Sequence, residues 1–186
     1  MSNQSKKSPQ LAALHERHPG LTKALGDTYF EAASVCFDRH HDSPVDISIE
    51  CDGRNSIQSI NFQKPDTRMI NSWANDIDTT ESGAYGVCLA TVEFEEQLVA
   101  VRRAETLTGS DWYVAPVGKE LTTFDDLEHC YRLEVSGLDT GGQAMVEARL
   151  KEKIKQTRHG KSNLPAIAAV VGFKEKIVKT RRVSEE

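Results

Sequence analysis

The stretch from Asp78 to about Gln97 constrains this chain more than any other. Asp78 and Glu81 stand three residues apart and form a capping-box pattern that opens a helix. Along that helix Ala84, Tyr85, Val87, Cys88, Leu89, Val92 and Phe94 cover most of the circumference. A helix that is apolar nearly all round has no face for water and must lie in the middle of a protein. The flanking segments therefore have to supply its cover. With 186 residues, the chain is long enough to do so within one α/β domain.

The flanking pattern supplies that cover. Leu21, Leu25, Tyr29, Ala33 and Phe37 recur at helical spacing, and predict a helix from about residue 21 to 40, stopped before Pro44. Alternation through Val45, Ile47 and Ile49, then Ile57, Ile60 and Phe62, around the turn Asp52-Gly53-Arg54-Asn55, predicts a β-hairpin. A short helix follows over residues 67–73. Beyond the apolar helix come strand-like runs at 98–103, 112–116 and 130–136. Thr140 and Gln143 suggest another capping box, opening a helix to about Thr157 with the apolar stripe Val146, Leu150, Ile154. Residues 166–173 form a continuous apolar run that suits a strand buried on both faces, and 174–182 a partner strand. The expected organisation is a lead-in at 1–10, an N-terminal helix and β-hairpin extension at 11–75, and a core at 76–186.

No apolar run approaches the ~20 residues needed to span a bilayer. The first ten residues carry no apolar stretch of the signal-peptide kind. The four cysteines are widely spaced and include no C-x-x-C pair, so free thiols and a cytoplasmic location are expected, with no structural zinc. Net charge is −5, unevenly spread: from Arg149 to Arg182 eleven Lys/Arg face only Glu152 and Glu175, a segment of +9 that leaves −14 elsewhere. Such a segment is either a nucleic-acid footprint or a solvated face.

Two acids stand out. Asp111 opens the second strand in Gly109-Ser110-Asp111-Trp112-Tyr113. Glu134 lies inside the third in Tyr131-Arg132-Leu133-Glu134-Val135-Ser136. Alternation puts Arg132, Glu134 and Ser136 on one face of that strand. A carboxylate flanked by apolar neighbours calls for a partner or a metal. The order helix, three strands, helix, strand, with acids at these two places, resembles the restriction-endonuclease-like, or PD-(D/E)XK, nuclease superfamily. The resemblance covers about residues 78–178. It implies a restriction-endonuclease-like core, Mg²⁺ or Mn²⁺ held by Asp111 and Glu134 with Glu93 on the central helix as an extra carboxylate, and hydrolysis of DNA or RNA phosphodiesters.

The sequence departs from the family at the lysine position, which is Ser136. By helical phase Lys153 lies at the edge of the apolar stripe of the following helix and is the best substitute, with Arg149 next. Gln156 lies one turn on from Lys153. Arg149, Gln156, Arg158 and Lys161 are the expected nucleic-acid contacts. Alternatives stay open. Asp111 can be a turn residue, Glu134 can pair across the sheet, Glu93 can be solvated, and Lys153 can simply cover the stripe edge. The missing lysine also suits a catalytically inactive module of the same fold that binds nucleic acid or a protein partner. His40 and His41 with Cys36, near His15 and His18, read as helix-end structure in preference to a metal site.

Overall fold

The computed structural model describes residues 8–106, 108–119, 126–159 and 162–183. The architecture is α/β, with four α-helices around one mixed seven-stranded sheet. In chain order the elements are α1 (Lys23–Asp38), β1 (Val45–Cys51), β2 (Arg54–Ile60), α2 (Thr67–Ser72), α3 (Asp76–Glu96), β3 (Leu98–Arg103), β4 (Trp112–Pro116), β5 (Tyr131–Leu138), α4 (Gln143–Arg158), β6 (Ala166–Gly172) and β7 (Ile177–Val183). The strands lie in the order β2-β1-β7-β6-β5-β4-β3. Pairing is parallel between β1 and β7 and between β5 and β6, and antiparallel elsewhere.

The apolar helix is α3, and it is buried along nearly its whole length. It packs on one face of the sheet, with α1 outside it. Gly83 sets that approach: a Cβ there would stand 3.1 Å from the Ala33 backbone on α1. Helix α4 covers the opposite face. The continuous apolar run of β6 divides between the two layers. Ile167, Ala169 and Val171 join the α3 side, while Ala168 and Val170 join Val146 and Leu150 of α4. Period-two alternation with both faces covered accounts for a strand with no polar position.

Three sequence expectations change. The N-terminal helix and hairpin form no separate extension: β1 enters the common sheet through β7, and α1 shares the main core. Helix α3 is capped by Asn75, whose side chain accepts from the amides of Ile77 and Asp78, and not by Asp78. Helix α4 is capped by Gly142 without a side-chain hydrogen bond, so Thr140 and Gln143 form no box. The cysteines are free and buried, and burial pushes the thiols up, Cys36 to about 12, which keeps them protonated and inert.

The outer edge of β3 is closed. Gly20 donates its amide to the Ala100 carbonyl at 2.8 Å, and the Ala100 amide donates to His18 Nδ1 at 2.9 Å.

Candidate functional site

A cleft opens where β4 stops following β5. Their register runs from Val114 opposite Tyr131 to Trp112 opposite Leu133, and beyond Leu133 strand β5 keeps only β6 as a strand neighbour among the described residues. The free flank of β5, residues 134–138, becomes a floor. The N-terminal half of α3 is one wall, α4 the other, and residues 104–106 with Gly109 and Ser110 the rim. The cavity is about 1200 Å³.

Gly137 brings the first wall down onto the floor. A Cβ there would lie 2.5 Å from the Thr80 carbonyl oxygen. Only a glycine lets α3 cross this close to β5.

Asp111 and Glu134 meet in this cleft. Asp111 enters just before β4, and its Oδ2 accepts from the Val135 amide at 2.8 Å. Its Oδ1 accepts from the Tyr85 hydroxyl at 2.8 Å. Glu134 is 4% exposed and accepts from Lys153 Nζ at 2.6 Å. Burial above all holds the Glu134 carboxyl above its usual range. The Asp111 charge and hydrogen bonding with Asp111 add to the rise, and Lys153 opposes it. Lys153 also donates to Gln156 Oε1 at 3.2 Å. The substitute cation chosen by helical phase therefore does sit on Glu134, and Ser136 lines the same floor.

Three further residues complete the cluster, and the sequence did not single them out for it. The Tyr85 hydroxyl also lies 2.8 Å from Glu81 Oε1. One hydroxyl proton cannot serve both Glu81 and Asp111, so negative charge concentrates between them. Arg103 donates to the Tyr85 oxygen at 3.0 Å, stacks on Tyr85 and Trp112 at 4.5 and 5.2 Å, and lies 3.6 Å from Asp111 Oδ1. Glu81 and Tyr85, four residues apart on one helical face, were the available signal. Arg103 was legible only through its position opposite Trp112 in the ladder.

Glu93 is elsewhere. It lies twelve residues past Glu81, about 18 Å further along the helix, and is buried against Arg17, which donates to it at 3.0 Å, and His18 at 3.3 Å. The glutamate of α3 that lines the cleft is Glu81. Arg149 lines the cleft and pairs with Glu152 at 3.3 Å. Gln156 lines it as well, Arg158 is exposed outside it, and Lys161 lies outside the described residues.

The C-terminal cations largely meet the acidic first half. Lys179 pairs with Glu50 at 2.7 Å and with Glu147, Arg181 pairs with Glu50, and Arg182 pairs with Glu96 at 2.6 Å. Cys51, Asp52 and Glu96 bring ligand atoms within 4.8 Å of one another, but Arg182 already sits on both acids. His40 pairs with Asp139 at 3.2 Å and His41 with the Phe173 carbonyl at 2.9 Å, which are structural contacts.

No family model matches the chain, and no curated protein or solved structure matches it either. No helix among the described residues is long and apolar enough to cross a membrane. The functional reading therefore rests on the cleft.

Proposed function

We propose that the cleft is a divalent-metal site for hydrolysis of nucleic-acid phosphodiesters, on a core of the PD-(D/E)XK kind. The element order α3, β3–β5, α4, β6 supports this reading. The observation that carries it is the convergence of Asp111, the buried Glu134 and Lys153 on one floor. The donors are all oxygen, which suits Mg²⁺ or Mn²⁺ and not a thiolate-seeking ion. Asp111 and Glu134 would hold the cation, with Glu81 beside them. Glu81 and Asp111 share a single hydroxyl donor, and with Arg103 as the one cation 3.6 Å from Asp111 this spot keeps more carboxylate than cationic charge, which a divalent ion would relieve. The chemistry such an ion would supply when held there is hydroxide near neutral pH and neutralisation of charge on the phosphate. Lys153, 2.6 Å from Glu134, would supply the charge that Ser136 cannot. Arg103 and Arg149 place two more cations on the cleft lining, where phosphate charge would build.

The second reading is an inactive module of the same fold that binds nucleic acid or a protein partner. One observation favours it: the acids of the cleft already have cationic partners, Lys153 on Glu134 at 2.6 Å and Arg103 at 3.6 Å from Asp111.

Calorimetry with Mn²⁺ separates the two. The first reading expects binding to the wild type that Asp111→Ala and Glu134→Ala each abolish, together with phosphodiesterase activity lost in Glu134→Ala. Wild-type activity in Glu134→Ala overturns it. Absence of Mn²⁺ binding with nucleic-acid binding retained establishes the second.

A further inference from the structure

The two walls of the cleft differ in chemistry. The α4 wall presents Arg149 and Lys153 one turn apart, with Gln156 following on the same stripe. The α3 wall presents Asp76, Ile77 and Glu81. The cations that these two walls carry thus lie on α4, while α3 contributes acids, of which Asp76 is paired with Arg39 at 2.8 Å; Arg103 adds one more cation at the rim from β3. A duplex brings the phosphates of two strands to a cleft, whereas a lone strand is tracked by a single basic line beside surfaces on which its bases can stack.

The second observation lies at one end of the cleft. Ile77 is 76% exposed and Met145 is 53% exposed, and of the exposed large apolar side chains these two line this cavity together. They belong to the same end. Arg39 ties Asp76, beside Ile77, at 2.8 Å to Asp139 at 3.3 Å, and Met145 lies over Gly141 two residues further on. Leu138 adds a partly buried apolar surface next to them. Exposed apolar surface held beside a polar reaction floor marks a binding position. A nucleobase is flat and apolar on its faces and is attached to the phosphate that the neighbouring cations attract.

The geometry points to an unpaired nucleic-acid strand as the occupant of this cleft, with its phosphates along the α4 wall and a base seated against Ile77 and Met145. This inference rests on the phosphodiester reading above and names the strand form. A base that is already unpaired enters without the cost of unstacking a duplex. In a paired strand its faces are covered by neighbouring bases, and Ile77 and Met145 would stay in water.

Fluorescence anisotropy at low salt tests this, with Ca²⁺ present to allow binding without turnover. The probes are labelled oligo(dT) and its duplex with oligo(dA), against wild type, Ile77→Asp and Met145→Asp. Both sites are exposed enough for the variants to fold. The expected result is strand binding about tenfold tighter than duplex binding, and a loss of about five- to tenfold for the strand in each variant, with the duplex unaffected. Duplex binding equal to or tighter than strand binding overturns the inference while leaving the phosphodiester reading in place. Unchanged strand affinity in both variants also overturns it. Binding to neither form sinks both together.

Discussion

Replacing Gly137 by alanine tests the contact on which the whole cleft depends. The added Cβ would stand 2.5 Å from the Thr80 carbonyl oxygen, 2.8 Å from its Cγ2 and 3.0 Å from the Ala84 Cβ. All three atoms belong to α3. Ordinary contact begins at about 3.4 Å, so the helix must retreat by about 0.9 Å at the carbonyl. A backbone carbonyl within a buried helix cannot swing aside like the end of a long side chain. Overpacking of this kind costs about 2–3 kcal/mol. The same retreat carries Tyr85, which follows Ala84, away from Asp111 and stretches their 2.8 Å hydrogen bond. The expected outcome in urea unfolding is a lower midpoint with an unchanged slope, accompanied by weaker Mn²⁺ binding. A midpoint within about 0.5 kcal/mol of wild type, the range of an ordinary surface change, would refute the close crossing of α3 over β5.

Three other predictions separate roles within the acids. Glu134→Gln should be more stable than wild type at neutral pH. Burial and then the Asp111 charge raise the native carboxyl above its unfolded value, so wild-type stability falls as pH rises from about 4.3 through the raised value. The advantage of the variant should vanish below the ordinary carboxylate range, and urea midpoints across pH read it directly; a wild-type advantage at neutral pH would mean that Lys153 outweighs burial. Glu93→Ala should cost about 2–3 kcal/mol by leaving the Arg17 guanidinium uncompensated, with Mn²⁺ affinity untouched. Glu81→Ala should leave stability within about 0.5 kcal/mol and weaken Mn²⁺ binding. The reverse pattern in calorimetry and unfolding would return the extra carboxylate to Glu93.

The sequence was informative where a local period reports a global position. The all-round apolarity of α3 and the unbroken run of β6 each have one explanation, burial on every side, and the structure has that burial. Lys153 was legible because its angle from Leu150 on α4 placed it at the edge of the buried stripe. Glu93 and Glu81 were not distinguishable in this way. On a helix that is apolar all round, phase does not say which end meets the reaction floor. That is decided by Gly137 under Thr80, a contact 57 positions apart in the chain (137 less 80) that no periodicity encodes. The partner that claims Glu93, Arg17, is 76 residues away from it. The same holds for the C-terminal cations, whose acids on β1 and at the end of α3 come near only after the sheet forms.

The pairing of β1 with β7 also governs the order in which the molecule can assemble. Ser48 meets Ile177, 129 positions later (177 less 48). Parallel contacts over such a separation reward the chain only after a large loop has closed, and they form late. Until β7 arrives, β1 has β2 on one side and an open edge of unpaired backbone groups on the other. A nascent chain halted before β7 therefore carries a sticky, half-paired hairpin, the kind of intermediate that aggregates or calls for a chaperone.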